Sequence, residues 1–136
     1  MGRDIQPRRY SLAEDRWEEI APLESIGSLQ ACSLGDKVYT FSYCEEDNYI
    51  NVLYNPAASI TSQDPPFWLV IDIPQNVLSI RHSVSLAPLN STEIVVLGGF
   101  DGGHLGDVCT FNTITGKGKK EFKVEEWSLS FACWFN

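Results

Sequence analysis

Short runs of branched and aromatic residues, each closed by turn-forming residues, recur along most of the 136-residue chain. Branched and aromatic side chains suit the pleated surface of a β-sheet, whereas Asp, Asn, Gly, Pro and Ser bend the chain between strands. The seven predicted strands are QACSL (30–34), KVYTFSY (37–43), YINVLY (49–54), FWLVIDI (67–73), HSVSLA (82–87), EIVVLGG (93–99) and DVCTFN (107–112). Many short strands at this spacing predict an all-β sandwich, barrel or propeller.

Only the segment SLAEDRWEEIAPL (11–23) has a charge content typical of a helix. Its Pro22 would end any helix there, because proline lacks the backbone N–H that a helix interior requires. The glycines of IVVLGGFDGGHLG (94–106) could cradle a phosphate only if a helix followed them. A predicted strand follows instead, so the glycines need a structural explanation.

The formal net charge of −8 and the pI near 4.6 disfavour a nucleic-acid partner, which requires clustered Lys and Arg. The longest basic cluster, residues 117–120, lies beside Gly116, and we expect a solvated loop there. No apolar run approaches the roughly 20 residues that span a bilayer, and the first residues are charged. These features predict a cytoplasmic protein without membrane association.

Four cysteines, Cys32, Cys44, Cys109 and Cys133, are scattered without a C-x-x-C pair. This spacing argues against a zinc site and against a redox pair. We expect the four cysteines to act as small buried apolar residues.

The two halves of the chain repeat one another. Trp17 and Trp68 lie 51 residues apart, and each is followed three residues later by isoleucine and soon afterwards by proline. The segment DKVYTF (36–41) aligns with TEIVVL (92–97) at an offset of 56. A period of about 50 residues that holds four strands is typical of a propeller blade.

These units resemble kelch repeats, in which a strand ends in a glycine doublet and an aromatic residue and a tryptophan follow. The second unit has the doublet and then Phe111, with Trp127 next, whereas the first has Ser42 and Tyr43 at the doublet position. The opening RRYSLAEDRW (8–17) resembles the tail of a preceding blade. The repeat positions are Trp17, Tyr54, Trp68, Gly98, Gly99 and Phe111. We expect the two equivalent tryptophans, Trp17 and Trp68, to be substantially buried.

The kelch resemblance implies a segment of a β-propeller, with about two complete four-stranded antiparallel blades and flanking strands. Residues 1–8 would be an N-terminal tail and residues 9–136 a partial kelch region with units at about 28–74 and 80–127. In such a blade the glycines would let neighbouring groups approach closely. Because closed propellers have at least four blades, we expect a fragment of a longer propeller, whose open edges would favour self-association.

Catalytic constellations are sparse. His82 opens a predicted strand and is expected to be structural or on the surface, while His104 lies in the glycine-rich loop near Asp101 and Asp107. Neither histidine has the neighbouring ligands that a zinc site needs. The paired glutamates adjoin strands, which favours solvated strand ends over an acid/base pair. The sequence therefore predicts no catalytic residue, no metal and no cofactor.

The kelch resemblance implies a non-catalytic module that binds a protein partner through its loops. The alternative within the family is an enzyme or sugar-binding propeller, which would need convergent polar groups over the central channel. The segments YCEEDNY (43–49) and FDGGHLG (100–106) join equivalent strands and are expected to emerge on one face. The candidate partner-binding residues are Tyr43, Glu45, Glu46, Tyr49, Phe100 and His104.

Overall fold

The chain is all-β in the computed structural model, which describes residues 3–44 and 47–123. Eleven strands occupy this part of the chain, and all of their pairings are antiparallel. The strands are β1 (Arg3–Ile5), β2 (Arg8–Ser11), β3 (Arg16–Glu19), β4 (Leu23–Leu34), β5 (Lys37–Cys44), β6 (Asp47–Tyr54), β7 (Phe67–Ile73), β8 (Ser85–Pro88), β9 (Glu93–Leu97), β10 (Asp107–Asn112) and β11 (Lys117–Lys123). None of the described residues belongs to a helix that is long and apolar enough to cross a membrane.

Two sheets are each built around four strands that are consecutive in the chain. The first sheet has the order β1-β4-β5-β6-β7, and the second has the order β11-β10-β9-β8. The segments KVYTFSY and EIVVLGG therefore supply the second strand of each four-stranded meander, as β5 and β9. The all-β prediction is confirmed, with antiparallel sheets whose strands follow one another along the chain.

The hydrophobic core lies between the two sheets. The alternation of a strand places Tyr39 and Phe41 of β5 on the same face as Ile50 and Val52 of β6, their cross-strand partners. The second sheet contributes Ile94 and Val96 of β9 and Cys109 and Phe111 of β10. The buried cluster contains Tyr39, Phe41, Ile50, Val52, Ile73, Leu78, Val84, Ile94, Val96, Cys109 and Phe111.

A hairpin of β2 and β3 occupies the charge-rich N-terminal segment. Its charges pair across the strands, because Arg9 Nε donates to Glu18 Oε2 at 2.8 Å on opposite positions of the hairpin. Arg9 also donates to the carbonyl of Pro56 in the β6–β7 loop, which ties the hairpin to the first sheet. Strand β1 (residues 3–5), within the segment predicted to be a tail, pairs with β4.

Trp17 and Trp68 occupy the second position of β3 and β7, but their burial differs. Trp68 is half-buried, and its Nε1 donates to the carbonyl of Ala21 at 2.9 Å. Trp17 is 67% exposed and contacts Tyr10 edge to face at 5.4 Å. The prediction that Trp17 is substantially buried is wrong, because the two-stranded hairpin offers its ring one neighbouring strand rather than a packed sheet.

The basic cluster at 117–120 forms part of β11 rather than a solvated loop, so that prediction is also wrong. β11 lies at an edge of the second sheet, where Lys119 and Lys120 are exposed to solvent. Gly118 faces inward, because a Cβ built there would lie 3.4 Å from Val77 and 3.6 Å from Ile73. Lysine is well suited to an edge strand, since its charge discourages pairing with another chain.

Candidate functional site

One end of the molecule gathers the end of β5 and the start of β6, the segment that leads from β7 to β8, and the β9–β10 loop. These three elements are separated in sequence but meet where both sheets end on the same side. Asn48, at the start of β6, holds the segment between the sheets: its Nδ2 donates to the carbonyls of Leu78 and Ser79, each at 2.9 Å. Its Oδ1 accepts from the backbone N–H of Arg81 at 3.2 Å. Asn48 is fully buried, so these three hydrogen bonds fix the path of the segment.

Arg81 is the charged centre of this end and is only 2% exposed. Its Nη2 donates to Asp107 Oδ2 at 2.6 Å, and its Nη1 donates to the carbonyl of Gly98 at 3.1 Å. The remaining bonds go to Ser79, whose carbonyl accepts from Nε at 2.9 Å and whose Oγ accepts from Nη2 at 2.8 Å. A buried ion pair is tolerated when its donors and acceptors are satisfied in this way.

Gly99 allows the β9–β10 loop to lie directly against Arg81. Its φ is +115°, and a Cβ at this position would lie 2.8 Å from Arg81 Cδ and 3.1 Å from the carbonyl oxygen of His82. The close approach predicted for the glycine doublet is therefore present at Gly99. The neighbour is an arginine stem and a backbone carbonyl rather than an aromatic ring.

Four rings form a continuous series above this buried network, which we name the aromatic row: Tyr43, His82, Phe100 and His104. The ring centroids are 6.0 Å apart for Tyr43 and His82, 5.6 Å for His82 and Phe100, and 5.4 Å for Phe100 and His104. Backbone bonds between His82 and Phe100 hold the centre of the row, with N···O distances of 3.1 and 2.9 Å. The first three rings are half-buried and His104 is exposed.

The structure brings together three of the predicted partner-binding residues, Tyr43, Phe100 and His104. Tyr49 is placed differently, since it pairs with Ser42 and so points to the opposite face of the sheet from Tyr43, which pairs with Asn48. Glu45 and Glu46 lie outside the described residues.

Sequence reasoning did not assign His82 to the site. The ring of His82 lies between those of Tyr43 and Phe100, because the segment that carries His82 forms an isolated bridge with Phe100. Nothing in the sequence indicated the roles of Asp107 and Asn48 either. Both hold the segment that leads to His82, through hydrogen bonds to Arg81 and, for Asn48, to the carbonyls of Leu78 and Ser79. An arginine followed by a histidine, at the start of a predicted strand, is a weak signal in a chain with few basic residues.

Two carboxylates lie on the opposite face of the first sheet at this same end. Asp47 begins β6, and Asp72 lies near the end of β7. Desolvation raises the pKa of Asp72, and the adjacent Asp47 carboxyl raises it further through a hydrogen bond and through charge repulsion. Asp101 adds an exposed carboxylate in the β9–β10 loop, next to Phe100 of the aromatic row. Asp47 and Asp72 lie at the same end of the first sheet but on the face opposite to Tyr43.

Three of the four cysteines lie within the described residues. Cys109 is buried, while Cys32 and Cys44 are half-buried, and all three are free thiols. Burial raises the pKa of the Cys32 and Cys109 thiols. Cys133 lies outside the described residues. Over residues 3–44 and 47–123, no three His, Cys, Asp or Glu side chains come together in a way that could hold a metal ion.

A second concave surface lies at the opposite end of the first sheet. It has a volume of about 690 Å³ and is formed by the β4–β5 turn and the β6–β7 loop. Its lining includes Lys37, which pairs with the neighbouring Asp36 at 3.1 Å and lies 5.0 Å above the ring of Tyr54. Two of the charged groups that line this cleft, Lys37 and Asp36, are thus paired with one another at the surface.

The chain matches no known protein-family model, and no curated protein matches it significantly.

Proposed function

We propose that the chain is a kelch-type propeller segment that supplies two adjacent blades and binds a protein partner without catalysis. The two four-stranded meanders support this assignment, because each follows the strand order of a propeller blade. β4 and β8, the first strand of each meander, lie against one another. Tyr54 and Phe111 occupy the third strand of their meanders, and Trp68 is the second residue of the fourth strand of the first meander.

The aromatic row is the single observation that carries the binding proposal. Aromatic side chains are enriched at protein interfaces because they offer a large contact area and lose little conformational freedom. Tyr43, His82 and Phe100 are half-buried, so much of their orientation is already fixed in the free chain. The Arg81–Asp107 network below them limits the freedom of the backbone that carries the row. A preorganised surface loses less entropy when a partner binds.

The charge of this end favours a basic partner. Asp101 lies beside Phe100 in the β9–β10 loop, Asp47 and Asp72 lie at the same end on the other face of the first sheet, and the charge of Arg81 is paired with Asp107. Arginine side chains of a partner could stack on the rings while their charges approach these carboxylates. Association with such a partner becomes slower as salt is added, since screening weakens electrostatic steering.

The experiment is a comparison of three full-length chains as baits in the cells from which the protein comes. The first is wild type, the second carries His104→Ala and Phe100→Ala, and the third carries Ile114→Ala. Ile114 is 77% exposed in the β10–β11 turn, so its replacement removes a similar apolar surface elsewhere. We expect wild type and Ile114→Ala to recover the same discrete proteins, and the double variant to lose them while keeping its circular dichroism spectrum. Equal recovery by all three folded chains would contradict the proposal.

A further inference from the structure

Strand β7 is an outer edge of the first sheet, and none of the described strands pairs with its outer side. Within the described part of the chain its strand partner is β6, and the register of that pair runs without a shift from Tyr54 opposite Phe67 to Asn48 opposite Ile73. Phe67 is 47% exposed, Leu69 is 44% exposed and Val70 is 52% exposed. Backbone N–H and C=O groups on such an edge can pair with another strand.

The other sheet edges carry devices that discourage pairing. β11 has lysines along its length and a register shift beside Val108 and Cys109. β8 has four residues and ends in Pro88, and β1 has three residues. By contrast, β7 has seven residues without Lys, Arg or Pro, and its one charge is Asp72 near its end. β7 therefore differs from every other edge of the two sheets in the residues that the structure describes.

We propose that β7 is a self-association surface on which a second copy of this chain adds its own β7 in antiparallel orientation. Its sequence is self-complementary about a two-fold axis through Val70. Leu69 of one copy then lies opposite Ile71 of the other, and Trp68 lies opposite Asp72. This register keeps each face of the combined sheet consistent and places no two aspartates opposite one another.

The net charge of the chain determines whether added salt strengthens or weakens the dimer. Each copy carries a formal charge of −8, so two copies repel one another at long range. Added salt screens this repulsion while leaving apolar strand pairing intact, and therefore strengthens the dimer. Binding of a basic partner at the aromatic row has the opposite salt dependence, which separates failure of one proposal from failure of the other.

The test is sedimentation velocity of the full chain over a range of concentrations, with Val70→Lys as the variant and Ile114→Lys as its matched control. Val70→Lys places two like charges opposite one another on the axis, whereas Ile114→Lys adds the same charge at an exposed turn. We expect wild type and Ile114→Lys to approach twice the 15.2 kDa chain mass as concentration rises, more readily at higher salt. The dissociation constant of Val70→Lys should rise at least about tenfold.

Amide hydrogen exchange locates the contact independently of any variant. Amides of residues 68–72 should exchange more slowly in concentrated than in dilute wild-type samples, while those of β11 should not change. Two results would overturn the proposal: a monomer at every concentration and salt, or a dimer in which Val70→Lys associates as strongly as Ile114→Lys. Concentration-dependent protection confined to elements other than β7 would do so as well.

Discussion

Arg81 and Asp107 form a buried ion pair, with Arg81 Nη2 2.6 Å from Asp107 Oδ2, although the two residues are 26 positions apart in the chain. Arg81 belongs to the segment between the sheets and Asp107 begins β10. Their pairing therefore connects the inter-sheet segment to the second sheet, while Asn48 connects that segment to the first. The aromatic row is carried by the backbone that these contacts fix.

Removing one member of this pair should destabilise the fold strongly. Asp107→Leu leaves the Arg81 charge buried without its partner, and we expect a loss of about 3–5 kcal/mol in the free energy of unfolding. The double variant Arg81→Met with Asp107→Leu should recover much of this loss, because no uncompensated charge remains. Urea denaturation monitored by circular dichroism measures both values. A single variant as stable as wild type would show that the pair does not form.

Gly99 and Gly102 provide a matched pair for close packing. Both have φ of +115°, but a Cβ at Gly102 would have no heavy atom within 4 Å, whereas a Cβ at Gly99 would lie 2.8 Å from Arg81 Cδ. Gly102→Ala should cost about 1 kcal/mol from backbone strain alone. Gly99→Ala should cost at least about 1 kcal/mol more, because the Arg81 side chain must shift. Equal losses of unfolding free energy for the two variants would contradict the close packing of Gly99 against Arg81.

Trp68 and Trp17 should differ in their contributions to stability. Trp68→Ala removes a half-buried ring and a hydrogen bond to Ala21, and we expect a loss of about 2–4 kcal/mol. Trp17→Ala should cost less than about 1 kcal/mol in this chain, because the ring is 67% exposed. Thermal or urea unfolding of both variants decides the order. A larger loss for Trp17 would mean that its ring is covered in solution.

The Asp47–Asp72 pair predicts a pH dependence of stability. Because the pKa of Asp72 is raised in the fold, the folded chain holds this proton more tightly than the unfolded chain. The resulting stabilisation is complete below the ordinary aspartate pKa of about 3.9 and is lost as the pH rises through the folded-state value. Asp72→Asn should therefore become progressively more stable relative to wild type as the pH rises from about 3.9 through the higher, folded-state pKa of Asp72.

Urea titrations at several pH values test this expectation, with Asp64→Asn in the exposed β6–β7 loop as the control. The control should follow wild type across the range. A constant difference between Asp72→Asn and wild type at all pH values would contradict the coupling of the two carboxyls.

The strands were largely predictable because each is encoded locally. The predicted segments 67–73 and 107–112 coincide with β7 and β10, since branched and aromatic runs bounded by turn residues need no distant information. β11 was missed because lysine-rich runs are typical of loops, and an edge strand tolerates lysine only when a neighbouring strand supplies the pairing. The exposure of Trp17 likewise depends on how many strands surround it.

The segments that form the candidate site could be predicted from the sequence, but the contacts that hold these segments together could not. Equivalent positions in the two halves placed Tyr43, Phe100 and His104 on one side of the molecule. The role of His82 could not be inferred, because it depends on a bridge between segments that are distant in sequence. The partner of Arg81 was equally hidden, since nothing local distinguishes Asp107 from the other aspartates.

The role of the aromatic row in partner binding is tested most directly by amide hydrogen exchange of the chain with and without its bound protein partner. We predict slower exchange at residues 82 and 100–104 in the complex, with no change at residues 35–38, 55–58 and 62–64, which line the cleft at the opposite end. Protection of that cleft, with unchanged exchange around the aromatic row, would contradict the assignment of the row as the partner-binding surface.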